Sequence, residues 1–153
     1  MLKKIFNPIK KLKIKYYSSS KVFDPNLTSI LIIKAIDKNK NLFKNCNRIL
    51  DLGCGTGVLG ISIKKILKKK ILSFSDFSDH AVKITKKNVK LNNIKANIIK
   101  SNLMTKWKNE NFDLIINDVS AISTYFKNFK LWYNSYIPCD SGLDGTKNTL
   151  KFI

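Results

Sequence analysis

The chain has 153 residues, with 29 Lys and Arg against 10 Asp and Glu and a formal net charge of +19. That length suits one ordinary domain and excludes two independent enzymatic ones, and 44% hydrophobic residues supply a packed core and exclude a disordered tail. The charge invites a polyanion reading, yet 28 of the 29 cations are lysine and only Arg48 offers the planar fork preferred for phosphate and base contacts. The excess of Lys, Asn and Ile therefore reads mainly as compositional bias, leaving solubility and a loose affinity for polyanions.

Residues 1–20 read as a basic N-terminal arm or hairpin and 21–153 as the main domain. The arm carries Lys every few residues in place of the continuous apolar run of a signal sequence, and Pro8 interrupts an amphipathic, membrane-surface reading. Positions 11–17 alternate Lys with apolar side chains, Ser18 to Ser20 read as a turn, and 21–23 resume an extended run, so a hairpin of these two segments is expected. Beyond Asp24 and Pro25, 27–36 has apolar residues at helical spacing, with Asn26 or Thr28 as cap.

From Arg48 onward strands and helices alternate. A strand over 49–52 ends near Asp51, followed by glycines and a helix over 58–69 whose end the Lys68 to Lys70 run caps. A second strand over 71–74 precedes Asp76, and Ser78 or Asp79 caps a helix reaching Leu91, with Ala81, Val82, Ile84, Val89 and Leu91 on one face. Further strands are expected over 96–99 and 112–116, the last ending at Asn117 and Asp118. This order predicts an α/β fold with a parallel sheet of about four strands, preceded by the hairpin and first helix. Cys46, Cys54 and Cys139 are widely spaced and form no Cys-x-x-Cys pair, so neither disulfides nor a metal site is indicated, and a reducing cytoplasm is expected. No stretch approaches the roughly 20 apolar residues of a membrane span.

Four glycines, Gly53, Gly55, Gly57 and Gly60, fall within eight residues at a strand-to-helix turn, where backbone can approach a ligand closely. Gly55-Thr56-Gly57-Val58-Leu59-Gly60 fits the dinucleotide fingerprint, which would make the chain a nicotinamide-dependent oxidoreductase. The alternative anchors on Asp51: a carboxylate beside a phosphate cradle repels pyrophosphate but pairs with the ammonium of an amino-acid-bearing ligand. S-adenosylmethionine is such a ligand. Asp76 closes the next strand, where an acid accepts from ribose hydroxyls, and Phe77 offers a flat face for adenine.

Asp51-Leu52-Gly53-Cys54-Gly55-Thr56-Gly57, followed by Asp76, resembles the first motif of the class I S-adenosylmethionine-dependent methyltransferases. Val22-Phe23-Asp24-Pro25 with Ser29 resembles the pre-motif segment of the subgroup containing release-factor glutamine methyltransferases and small rRNA methyltransferases. Phe112-Asp113-Leu114-Ile115-Ile116 resembles that subgroup's fourth strand, and Ser141-Gly142-Leu143-Asp144-Gly145-Thr146 its Gly-x-Asp-Gly segment. The resemblance implies a Rossmann-like methyltransferase sheet and methyl transfer to a protein, RNA or small-molecule acceptor. Asp51, Gly53, Gly55, Gly57, Asp76, Phe77 and Asn102 would hold the cofactor, Asn102 standing where the family often has an acid that meets the adenine amino group.

Asp118-Val119-Ser120-Ala121 stands where the subgroup's amino-group methylators carry Asn-Pro-Pro-Tyr, which leaves Asp118 and Ser120 as the candidate catalytic pair and the acceptor open. Both could equally cap the next segment. Only 35 residues follow Asp118, so the seven strands usual in this fold are expected to be incomplete, the chain truncated and its fourth strand an edge open to a partner. A further alternative is a non-catalytic, basic RNA-binding remnant of the fold. His80 reads as a first-turn helix residue, Asp144 and Gly145 as a turn, and Trp107, Trp132, Tyr133 and Tyr136 as aromatics packed under the domain's edge or stacked on a substrate.

Overall fold

The computed structural model describes residues 1–68, 70–126, 129, 137 and 139–152. Lys69 of the lysine run and Trp132, Tyr133 and Tyr136 lie outside the described residues. Strands β1 (Leu2–Ile9) and β2 (Leu12–Ser18) form an antiparallel hairpin, and α1 (Leu27–Lys38), β3 (Arg48–Leu52), α2 (Val58–Leu67), β4 (Ile71–Asp76), α3 (Asp79–Leu91), β5 (Asn97–Lys100), β6 (Leu114–Asn117) and α4 (Lys147–Leu150) follow. The second sheet is entirely parallel in the order β5-β4-β3-β6. The chain moves outward from β3 through β4 to β5, then returns to place β6 on the other side. A crevice opens at the carboxyl ends of strands where the order reverses in this way, here between β3 and β6.

The hairpin departs from the sequence expectation. Its turn is at Lys10 and Lys11, and the alternating stretch ending at Ser18 pairs with the residues before it, Leu2 opposite Ser18 and Phe6 opposite Ile14. The residues after Ser18 form a loop leading into α1. β1 was concealed because its polarity is inverted, Lys4 standing on the row of Phe6 opposite buried Tyr16 and Ile14 while Ile5 on the other row is exposed, and because Pro8 interrupts its pattern. The register shifts between Phe6 and Ile9, around Pro8, as expected of a residue that cannot donate to a ladder. Nor is the segment a solvated arm: Leu12, Ile14 and Tyr16 share one buried cluster with Ile33 and Ile36 of α1, Ile49 of β3, Ile61 and Ile63 of α2, and Leu72 and Phe74 of β4.

The other face of the parallel sheet packs Leu50 and Leu52 against Trp107. Trp107 is buried, donates from Nε1 to Ser75 Oγ at 3.0 Å and meets the Phe112 ring edge-on at 5.3 Å. It is a core side chain, as the packing alternative held. β6 starts at Leu114, two residues later than expected, because Phe112 is drawn to Trp107 and lies beneath the Arg48 guanidinium. Among the described residues β5 and β6 are the sheet's two edges, and no helix is long and apolar enough to cross a membrane.

Candidate functional site

Three strand ends converge on one cleft of about 780 Å³, within the range of small-molecule sites. β3 delivers Asp51 and the glycine turn, β4 delivers Asp76 and Phe77, and β6 delivers Asp118; the loop before α1 closes one side. Asp51, Gly53, Gly55, Asp76, Phe77, Asn102, Asp118 and Ser120 all line it. Gly57 stands behind the lining and starts α2 at φ 74°, where an added Cβ would lie 2.8 Å from Thr85 Cγ2. Gly57, the cap residue, has no side chain to bond the start of α2, and Asp51 Oδ2 takes the Gly60 N–H of that first turn, leaving the other helix-start N–H groups for a ligand.

The turn is fastened to β4. Gly53 and Cys54 donate their backbone N–H to Ser75 O at 2.9 and 3.0 Å. Asp76 accepts from Gly55 N at 2.9 Å through Oδ2 and from Ser78 N at 2.8 Å through Oδ1. Burial raises the Asp76 carboxyl, while the bonds from Ser78, Gly55 and Phe77 pull it back down. Phe77 is 60% exposed, presenting an open apolar face at the rim.

Asp51 is buried and accepts from Gly60 N at 2.8 Å. Burial pushes its carboxyl up to about 7, partly offset by the Gly60 bond and reinforced by the negative charges of Asp118 and Asp76. A cationic ligand reverses this balance by favouring the ionised form. Five of the ten acidic residues, Asp24, Asp51, Asp76, Asp118 and Asp140, line this cleft in a chain of net charge +19.

Asp118 is held by the start of α1. Asn26 caps that helix and forms a capping box with Ser29, and Ser29 Oγ donates to Asp118 Oδ2 at 3.3 Å. Burial raises the Asp118 carboxyl and the Ser29 bond lowers it. Ser120 is engaged differently: its Oγ donates to Cys139 O at 2.6 Å, while its carbonyl accepts from Ser141 Oγ and from Asn148 Nδ2. The Ser120 hydroxyl proton thus bonds the segment that carries Cys139 and Ser141. Val119 fills the space beside Gly53, where a Cβ would approach Val119 Cγ1 to 2.5 Å.

Asn102 precedes a single 3-10 turn, Leu103–Lys106, makes no side-chain bond to it, and is exposed at the rim. His80 lies in the first turn of α3, and Asp144 accepts from Thr146 N and Oγ1, fixing the turn at Gly145. No cluster of three or more metal-ligating side chains occurs among the described residues. Sequence reasoning missed Thr85 and Asn88, buried polar side chains on α3 that reach the glycine turn from behind. The available signal was two polar residues, three positions apart, on a helix face otherwise apolar.

The strand order, glycine turn and strand-end acids are those of a Rossmann-like methyltransferase domain. The chain belongs to the methyltransferase small domain family, whose model matches residues 17–118. This decides the glycine segment in favour of the S-adenosylmethionine reading over the dinucleotide one. The chain is 30% identical over 82 residues to the ribosomal protein L11 methyltransferase of Thermotoga maritima, and 39% identical over 73 residues to that of Lactobacillus johnsonii. Those matches cover 54% and 48% of this chain but only 30% and 23% of the relatives. In structure it is similar to the T. thermophilus 16S rRNA N2 G1207 methyltransferase, solved with AdoMet and guanosine, with a TM-score of 0.63 at 20% identity over 75% of this chain and 32% of that one. A ribosomal protein L11 methylase from Lactobacillus delbrueckii gives a TM-score of 0.52 at 22% identity, over 72% of this chain and 64% of that one. At these identities the structural likeness is one of fold.

Proposed function

We propose that the chain binds S-adenosylmethionine in the cleft and takes part in methyl transfer to a ribosomal component, RNA or protein, whose nucleophile enters over Asp118. One observation carries the reading: three strand-end carboxylates and the glycine turn that leads into α2 share a single cleft. The residues present fit the cofactor. Asp51, at the floor, suits the ammonium, and the α2 N-terminus suits the carboxylate of the same amino acid. Asp76, Phe77 and Asn102 suit the ribose and adenine. The cofactor supplies an electrophilic methyl group on a sulfonium.

The protein's own contribution is chiefly placement. Asp118, fixed through Oδ2 by Ser29, is positioned to accept a hydrogen bond, and then a proton, from an attacking N–H or O–H. Ser120 keeps the segment carrying Cys139 and Ser141 against the acceptor side. The names of the relatives support a ribosomal acceptor.

Calorimetric titration with S-adenosylmethionine and with NAD tests the first step. Binding of the former, weakened about ten- to a hundredfold in Asp51→Asn, is expected. Binding of NAD alone would overturn the reading. Steeply salt-dependent RNA binding, without cofactor affinity and indifferent to Asp51, would replace it with the non-catalytic alternative. Tritium transfer from labelled cofactor into ribosomes, followed by separation of RNA from protein, identifies the acceptor; binding without any label in either fraction refutes a ribosomal one.

A further inference from the structure

The buried face of α3 carries two polar side chains, Thr85 and Asn88, each with no exposed surface. Leaving such groups unpaired is strongly unfavourable, and both are paired with main chain, Thr85 also meeting the Cys54 thiol at 3.4 Å. Thr85 Oγ1 donates to Gly55 O at 3.0 Å. Asn88 Nδ2 donates to the next carbonyl, Thr56 O, at 2.8 Å. Two successive peptide planes of the glycine turn are therefore oriented by side chains one helical turn apart, on the side away from the cleft.

Asn88 also faces the hairpin. Its Nδ2 donates to Tyr17 O at 3.0 Å, and its Oδ1 accepts from Tyr17 N at 2.7 Å. One turn further, Asn92 Nδ2 donates to Lys15 O at 2.8 Å. In an antiparallel pair, every second residue turns both its N–H and its C=O away from its partner. Tyr17 and Lys15 present those groups to α3, and the two amides stand where the backbone of a third strand would run, covering the free edge of β2.

We infer that Thr85 and Asn88 are positioning residues for the cofactor turn, and that Asn88 couples the seating of the β1–β2 hairpin to cofactor affinity; this rests on the glycine turn being the cofactor site. One amide group is shared between the two, so disorder at either end removes a constraint from the other. By linkage the effect is reciprocal: a cofactor that orders the turn tightens the hairpin.

The test compares Asn88→Leu and Thr85→Val, near-isosteric replacements that remove the donors, with Val89→Ala as a control on the same helix that loosens the core without touching the turn. Binding of S-adenosylhomocysteine by calorimetry and amide hydrogen exchange are both read. Asn88→Leu is expected to weaken binding about tenfold and to speed exchange in both the glycine turn and β2. Thr85→Val weakens binding and loosens the turn but leaves β2 protected. Val89→Ala lowers the melting temperature with little change in affinity. In the wild type, saturating ligand slows exchange in β2, and this slowing is absent in Asn88→Leu.

Equal affinity loss in Val89→Ala and Asn88→Leu at matched stability would reduce Asn88 to a packing residue and overturn the inference. So would β2 exchange indifferent to ligand and to Asn88→Leu. A wild type that binds no ligand overturns the functional reading and the cofactor half of the inference, while exchange in the apo variants still decides whether hairpin and turn are coupled.

Discussion

Gly60 and Asp51 form a residue-level constraint behind the cleft. A Cβ at Gly60 would lie 2.6 Å from Phe74 Cε1 and 2.7 Å from Asp51 Oδ2, two groups held in a packed interior. Gly60→Ala is expected to lower stability by about 1–3 kcal/mol through overpacking and to displace the carboxylate; an unchanged urea midpoint would contradict this. Asp51 also sets a pH dependence. Its carboxyl stands at about 7 in the folded chain against an ordinary 3.8, so between those values the native state holds a proton that the unfolded state has lost. This contribution is fully present below the unfolded value and is lost as pH rises through 7. Asp76 and Asp118 are shifted in the same direction, whereas Asp79, Asp113 and Asp144 are lowered and stay ionised in both states across that window. Thermal melts of the apo protein should therefore show a falling midpoint between about pH 5 and pH 8, flattened in Asp51→Asn. Stabilisation by S-adenosylmethionine should grow over the same range.

At the scale of elements, the start of α1 joins local and distant structure. Ser29 Oγ accepts from Asn26 N within the capping box and donates to Asp118, so a helix cap also orients an acid 89 positions away. Ser29→Ala removes a bond that lowers the Asp118 carboxyl; the acid limb of a methyl-transfer pH profile should move to higher pH. An unmoved limb would mean that Asp118 does not take the proton. The alternation from β3 to α3 was legible because buried parallel strands read as continuous apolar runs and the glycines and acids lie at their ends. The hairpin was misplaced because register depends on a partner, and β1 carries exposed Ile5 on its outer row and Lys4 on its inner one. Thr85 and Asn88 stood out only as polar residues on an apolar helix face, and their roles were hidden because their partners are backbone atoms roughly 30 or more positions away in sequence, at Gly55, Thr56 and Tyr17.

For the whole molecule, the sign of the charge depends on location. With Asp24, Asp51, Asp76, Asp118 and Asp140 lining the cleft, and Asp79 and Glu110 paired with Lys100 and Arg48, the remaining surface is dominated by lysine. A net charge of +19 disfavours the compact state through self-repulsion. Screening relieves it, since the Debye length falls from about 30 Å at 0.01 M to about 10 Å at 0.1 M salt. Urea midpoints should therefore rise with sodium chloride across that range; a fall would show that attractive pairs outweigh the repulsion.

The bonds that hold β2 against α3 end on main-chain atoms of Lys15 and Tyr17, never on their side chains. The attachment is consequently indifferent to what those two positions display, so the outer face of the hairpin is free to diverge in charge and shape without loosening its seat. Proline is the exception at Tyr17, where it would delete the N–H that Asn88 receives. Sequence variation among relatives should thus be permissive at these two hairpin positions and strict at position 88, which reads the main chain and not the side chains it faces.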